Sequence, residues 1–334
     1  MTDPRAFLDR LAVGYQESIV LLAANHVGVF GALAAGPRSA RTLADRLDLD
    51  PRALDVLLRA LVGAGVLEQG ADDRFALPDE LAPMLDPDGA ETMHSILDHH
   101  HHLLERWAQL ADVVRTGSPV PRPEGGRSGR GLRAFICGMK DISRRSSEQV
   151  AEALPELGEC ERLLDLGGGP GTAALTFCHR WPHLRAVVFD LPEVVPITRE
   201  EIAAADLADR VTARAGDYHR DPLPDDDDPP YDAVYVSNII HSLSPRETRG
   251  LLVAATSVLA PGGLLVVKDF YLDDDRSHPA FGSRFAVNML VGTEGGKSYT
   301  WTEVETMMID LGLQSPRRVP VAVNSGLVVA RSAV

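Results

Sequence analysis

Apolar residues along this chain follow two rhythms, and the change between them divides it. From about residue 5 to residue 35, apolar positions such as Leu8, Leu11, Ile19, Leu22 and Val27 recur near the helical period, which predicts helix. The next stretch, ARTLADRLDLDPRALDVLLRALVGAGVLEQGADDRFALPDELAPML, parses as helix, turn, helix and short hairpin. Ala40, Leu43 and Leu47 line one helix face, while Asp50 and Pro51 cap a following helix that stops at Gly63/Gly65. Residues 66–68 and 74–77 read as short strands around a Gly70-Ala71-Asp72 turn. Residues 91–117 are helical, 118–131 form a Pro-, Gly-, Arg- and Ser-rich loop, and helix resumes at Leu132.

From Arg162 onward short β-rich runs replace this pattern at regular intervals. Strands are expected at 163–166, 184–190, 211–214, 231–238 and 263–270, with helical segments between them. The exception is an acidic stretch at 225–228, whose four consecutive aspartates suit a solvated turn better than the spaced ligands of a calcium loop. Two further β-rich runs within 319–331 flank Asn324-Ser325-Gly326 as an antiparallel hairpin. Such alternation predicts an α/β protein with a doubly wound parallel sheet and an antiparallel edge.

Composition narrows the function classes. The 334 residues leave room for two domains, and 45% hydrophobic with 24% charged residues is ordinary for a globular protein. A net charge of −15 disfavours attraction to nucleic acid or to an anionic membrane. The helix–helix–hairpin pattern resembles a winged helix, yet Arg41 to Glu80 carries 5 Arg against 9 Asp and Glu, a local net of −4. A groove-binding helix needs the opposite sign, so packing or dimerisation is the expected role. Cys137, Cys160 and Cys178 have neither metal nor disulfide spacing, which fits a reducing cytoplasm. MTDPRAFLDR does not read as a signal peptide, and the apolar window 18–36 is interrupted by Asn25 and His26, as in a buried helix rather than a membrane span. In the run His99 to His102, adjacent imidazoles point around a helix. His94, Asp98 and His102 can share one face, but no metal is expected from them.

The chemistry-bearing residues gather at strand ends. Gly167, Gly168, Gly169 and Gly171 turn the chain tightly after the first strand, and Thr172 opens a helix. The spacing is D-x-G-x-G-x-G, from Asp165 to Gly171; a dinucleotide G-x-G-x-x-G would need its last glycine where Thr172 stands. Asp190 ends the second strand, where a carboxylate suits ribose hydroxyls, and Asp217 with Tyr218 follows the third, placed for adenine. His241 follows the fourth strand and Asp269 ends the fifth, so a parallel sheet brings imidazole and carboxylate together as a candidate proton acceptor.

These motifs resemble the S-adenosylmethionine (SAM)-dependent O-methyltransferases, a family that includes plant caffeate and acetylserotonin enzymes and bacterial antibiotic-tailoring enzymes. Residues 135–143, FICGMKDIS, resemble the family's FNxGMxDxS, which implies Met139 in the substrate pocket and Ser143 at the cofactor carboxylate. Phe189-Asp190-Leu191-Pro192 resembles FDLP, Gly216-Asp217-Tyr218 resembles GDM/GDF, and residues 295–300, GGKSYT, resemble GGKERT. His241-Ser242-Leu243-Ser244 stands where the family has HDWS with its catalytic base, and Asp269 where plant members carry the Glu that orients it. Leu243 replaces a tryptophan, Ser237 a cofactor-contacting lysine, and Ser298 a second glutamate.

The resemblance implies a class I methyltransferase, Rossmann-like sheet with a terminal hairpin behind a mainly α winged-helix domain. It implies a dimerisation domain at 1–90, a helical linker at 91–150 and a SAM-binding domain at 151–334, assembled as a homodimer. Asp165, Gly167, Gly169, Gly171, Asp190, Leu191, Asp217, Tyr218 and Ser237 join Ser143 around the cofactor. Arg284, Asn288 and Met289 on the expected pocket helix join Met139 around a small-molecule methyl acceptor. With aromatics only 5% of the chain and Arg284 and Asn288 on that helix, a smaller or anionic acceptor stays open. The accepting atom is expected to be a hydroxyl oxygen, with sulfur or nitrogen as alternatives. Some relatives use SAM for decarboxylation or hydroxylation. A SAM-binding regulator is disfavoured by the acidic surface, and an NAD enzyme by the glycine spacing.

Overall fold

A computed structural model describes residues 3–89, 91–121, 129–221, 223, 229–322 and 324–333. The chain divides into two compact units, Met1–Glu105 and Arg106–Val334. The division falls within the stretch expected to be a helical linker.

In the first unit the single helical stretch expected over 5–35 is three helices, α1 (Pro4–Val13), α2 (Tyr15–His26) and α3 (Val29–Ala34). Gly14 separates the first two, and Gly28, at φ 85°, ends α2 in the left-handed region that a glycine enters at little cost. A two-residue strand β1 (Arg38–Ser39) follows, then α4 (Ala40–Leu47) and α5 (Pro51–Gly63). Ser39 accepts from Thr42 N and Asp50 from Ala53 N, so each helix begins at a side-chain cap. The hairpin is β2 (Glu68–Gln69) with β3 (Arg74–Ala76), shorter than the runs in sequence, and β1 adds to it in the order β1-β3-β2. Phe30, Leu43, Leu58, Leu61 and Phe75 fill the core of this unit. After α6 (Ala82–Leu85), the helical stretch over 91–117 is broken into α7 (His94–Trp107) and α8 (Leu110–Thr116), the latter closed by Gly117 at φ 71°.

The second unit contains α9 (Gly129–Ala153) and a seven-stranded sheet. Its elements run β4 (Arg162–Leu166), α10 (Thr172–Arg180), β5 (Arg185–Asp190), α11 (Val195–Ala204), β6 (Val211–Ala215), β7 (Tyr231–Ser237), α12 (Pro245–Ser257), β8 (Leu259–Asp269), α13 (Ala280–Gly292), α14 (Trp301–Asp310), β9 (Gln314–Ala322) and β10 (Ser325–Arg331). Residues 225–228, expected as a solvated acidic turn, lie outside the described residues. The strand order is β6-β5-β4-β7-β8-β10-β9; the first five are parallel, and β10 runs antiparallel to both β8 and β9.

Alternation along the strands makes two hydrophobic layers. Leu163, Val188, Tyr235 and Val266 face one way, against Phe177 and Leu154; Leu164, Leu166, Val234, Val236, Leu265 and Val267 face the other, against Leu252, Val304 and Met308. Both faces are buried, which is why these strands read as nearly continuous apolar runs. The order reverses at β4, with β5 on one side and β7 on the other. The crevice of such a switch point, beyond the carboxyl ends of the strands, is where ligands of open α/β sheets bind.

Candidate active site

The turn after β4 has its glycines for different reasons. Gly167, Gly169 and Gly171 have φ of 68°, 55° and 79°. A Cβ on Gly167 would run into Ile239, and one on Gly168 would lie 2.6 Å from Asp165 Cγ and 2.8 Å from Val188. A Cβ on Gly169 would meet no protein atom within 4 Å. Gly167 and Gly168 therefore serve internal packing, while Gly169 borders open space. Asp190 at the end of β5 accepts from Gly169 N at 2.7 Å and from Leu191 N at 2.7 Å, which ties the second strand end to the turn. Burial raises the pKa of its carboxyl, and each oxygen keeps a lone pair for a hydroxyl. Thr198 was not anticipated; its hydroxyl donates to Gly169 O at 2.7 Å and holds the same peptide from α11.

Asp165, counted from sequence among the cofactor contacts, lies buried beneath the turn instead. It accepts from Ala174 N at 3.3 Å, in the first turn of α10, and so fixes the backbone that surrounds the crevice. Burial pushes its carboxyl up to about 7, against the Ala174 hydrogen bond and helped by the charge of Asp190.

Asp217 lies two residues past β6. It accepts from His219 N at 2.9 Å, faces Arg220 at 3.5 Å, and receives no bond from the glycine turn among the described residues. Tyr218 is half-buried with its ring 4.4 Å from that of His219; burial, with Asp190 and Asp217 near, raises its phenol to about 12. Leu191 is exposed, and Ser237 ends β7 half-buried. Met139 and Ser143 are half-buried on α9, and the Ser143 carbonyl accepts from the hydroxyls of Ser146 and Ser147. No described hydrogen bond joins Met139 or Ser143 to the strand ends.

His241 and Asp269 are brought together as expected. Strands β7 and β8 pair in parallel with Ser237 opposite Lys268, so the short 3-10 turn Ile240–Ser242 emerges beside the end of β8. His241 Nδ1 lies 2.8 Å from Asp269 Oδ1. His241 N donates to Oδ2 at 3.3 Å, and Phe270 N to Oδ1 at 2.7 Å. With Nδ1–H given to the carboxylate, Nε2 carries the lone pair. The imidazole is 14% exposed and the carboxylate 4%.

The loop that carries His241 is pinned by residues 295–300. Lys297 N donates to His241 O at 2.8 Å, Tyr299 OH donates to Leu243 O at 2.9 Å, and Gly296 packs so closely on His241 O that a Cβ has no room. Leu243 is buried in the hydrophobic layer, and Ser298 donates to Gly282 O rather than standing beside the imidazole as a charge. Lys268 is a further feature not anticipated: burial pushes its pKa down to about 8, partly opposed by Asp269, and Nζ lies 3.3 Å from Asn238 Oδ1.

Aromatic residues are few, but two of them flank the base and a third packs behind these two. The Phe285 ring meets His241 edge-on at 4.8 Å, Phe270 lies 6.0 Å away with its plane 28° from that of the imidazole, and Phe281 contacts Phe270 at 5.1 Å. Phe281 and Phe285 are four apart on α13, a spacing visible in sequence; their meeting with Phe270 depends on the fold. Arg284 on the same helix is exposed, Met289 is buried, and Asn288 Oδ1 accepts from Trp107 Nε1 at 3.0 Å.

Comparisons with known proteins identify the family and the fold. Residues 107–314 match the O-methyltransferase domain family, and residues 10–79 match the O-methyltransferase dimerisation domain family. The chain is 33% identical to the 3-hydroxy-5-methyl-1-naphthoate 3-O-methyltransferase of Streptomyces sahachiroi, over 93% of this chain and 90% of that one. It is 29% identical to the tetracenomycin polyketide synthesis 8-O-methyl transferase TcmO of Streptomyces glaucescens, over 96% and 95%. The structure of human N-acetylserotonin methyltransferase in complex with SAM superposes with a TM-score of 0.89 at 25% identity, covering 100% of this chain and 99% of that one. The space bordered by Gly169, next to the Asp190 carboxylate, fits such a cofactor. The chain belongs to the O-methyltransferase family and is a SAM-dependent methyltransferase.

Proposed function

We propose that this enzyme methylates a hydroxyl group on a small planar aromatic acceptor, with His241 as the general base. The observation that carries the reading is the His241–Asp269 hydrogen bond of 2.8 Å set among Phe270, Phe281 and Phe285. SAM, when bound, supplies a sulfonium methyl: the acceptor oxygen forms the new bond to carbon while the carbon–sulfur pair leaves with sulfur. Gly169 leaves room for it, Asp190 offers acceptors to its ribose, and Tyr218 offers a ring to its base. His241 Nε2 takes the hydroxyl proton, and Asp269 stabilises the resulting imidazolium and holds its orientation. The phenylalanines present π-faces and edges to an aromatic ring and exclude water from it.

A thioether has no proton to lose, so a base held by a carboxylate would have no task there; the pair disfavours a thioether acceptor. The 33%-identical relative named for a hydroxynaphthoate supports an aromatic acceptor. A homodimer through the first hundred or so residues is part of the proposal. It is supported by the dimerisation-domain match and by α1, which has no buried residue and exposes Phe7, Leu8, Leu11 and Val13. The net charge of −15 supports a small-molecule partner rather than nucleic acid. No helix among the described residues is long and apolar enough to cross a membrane.

The test is a screen of hydroxyaromatic acceptors, with thiol and amine analogues, using SAM labelled in its methyl group and mass spectrometry of the products. Label on a phenolic oxygen is the expected result. Transfer confined to sulfur or nitrogen would overturn the assignment of the acceptor.

A further inference from the structure

The histidine run on α7 was expected to bind no metal because its neighbours diverge around the helix. The missing partner comes from α2. His26 Nδ1 lies 2.9 Å from Asp98 Oδ1, and His102 Nε2 lies 3.4 Å from Asp98 Oδ2. Ligand atoms of His26, Asp98 and His102 all lie within 4.8 Å of one another. His94, which shares the helix face, is turned to Asn25, with Nδ1 3.1 Å from Asn25 Oδ1.

We infer that His26, Asp98 and His102 form a site for a divalent transition cation of the zinc class, independent of the methyl-transfer residues. Two borderline imidazole nitrogens with one carboxylate oxygen make a donor set that zinc accepts, and three protein ligands leave a fourth position for water. With metal–ligand distances of about 2.0–2.2 Å, a tetrahedral site needs ligand–ligand separations of roughly 3.3–3.6 Å. The 2.9 Å separation runs to Oδ1 and the 3.4 Å separation to Oδ2, so one Asp98 oxygen serves both imidazoles only after the carboxylate and His102, whose side chain is 65% exposed, rotate to close a spread of up to 4.8 Å. That exposure also provides the entry path. His101 stacks on His26 with ring centroids 4.1 Å apart and planes 14° from parallel, which holds the His26 imidazole in position. Its own Nδ1 is buried with no hydrogen-bond partner among the described residues. Coordination replaces the proton shared by His26 and Asp98, which passes to solvent. The cation then links two helices whose ligands are 72 residues apart in sequence.

The test is calorimetric titration of the metal-free full-length protein with zinc chloride, alongside its thermal unfolding. The expected result is one zinc per chain, bound more tightly than about 100 µM, with a rise in Tm. His102→Gln removes a ligand whose side chain is 65% exposed and should weaken binding by at least about tenfold; His26→Gln should do the same. A His99→Gln/His100→Gln double variant separates this site from casual binding by a histidine run and should bind like wild type. Affinity weaker than about 100 µM, or equal affinity in wild type and His102→Gln, would overturn the proposal. So would loss of binding in the double variant alone.

Discussion

The Nδ1 of His241 lies 2.8 Å from Oδ1 of Asp269, across 28 residues of chain and between the ends of two parallel strands. Asp269 also accepts from the backbone N–H groups of His241 and Phe270, so one carboxylate sets both the place and the tautomer of the imidazole. An amide at this position can accept some of these bonds but brings donors where the backbone already donates. Asp269→Asn is therefore expected to lower kcat by about tenfold to a hundredfold, less than loss of the base itself. Steady-state kinetics with the native acceptor checks this, and wild-type turnover in the variant would show that the carboxylate has no part in orienting His241.

Adjacent glycines in the turn should fail in different ways. Gly169→Val places its branched side chain in the open space proposed for the cofactor, and calorimetry is expected to show SAM binding abolished. Gly168→Ala drives a methyl into Asp165 and Val188, and is expected to lower Tm. SAM binding at wild-type affinity by Gly169→Val would move the cofactor elsewhere.

Asp165 makes stability depend on pH in a direction unusual for a carboxylate. Its folded pKa is raised to about 7, whereas an unfolded aspartate titrates near about 3.9. The folded state therefore keeps a proton that the unfolded state has lost, so the stabilisation is complete below the unfolded value and is lost as pH rises through about 7. Asp165→Asn has no such dependence. Denaturant unfolding is expected to show the variant gaining on wild type by about 3 kcal/mol between pH 5 and pH 8. A gap that stays constant or widens would contradict a protonated Asp165.

The exposed face of α1 carries the homodimer proposal. Leu8 and Leu11 are 62% and 58% exposed, and paired aspartates there should prevent association without touching the core of the first unit. Sedimentation is expected to give a dimer for wild type and a monomer for Leu8→Asp/Leu11→Asp. A wild-type chain that is a stable, active monomer at micromolar concentration would end the proposal.

Much of this architecture was legible because it is local. Apolar runs, the glycine turn and residues such as Asp190, His241 and Asp269 at strand ends identify a parallel sheet and its ligand edge without coordinates. Strand pairing then needs no further information to join His241 to Asp269. What was not legible depends on distant segments meeting. Phe270, Phe281 and Phe285 form a cluster only because α13 packs over the end of β8, and His26 joins Asp98 only because α2 meets α7. The burial of Asp165 under the turn was not legible because a motif records which residue recurs, not whether its side chain faces the crevice or the core. The break at Gly28 and the two-residue β1 are too short to change an apolar rhythm.

The central claim is that His241 removes the proton from the methyl acceptor, and His241→Ala tests it most directly. With the acceptor identified from the labelled-methyl screen, kcat is to be measured for wild type and variant across pH, with SAM affinity measured by calorimetry. A general base contributes about a hundred- to ten-thousand-fold, so kcat is expected to fall by that factor while SAM affinity stays nearly unchanged. A His241→Ala enzyme that retains more than about a third of the wild-type kcat, far short of a general-base effect, would contradict the assignment.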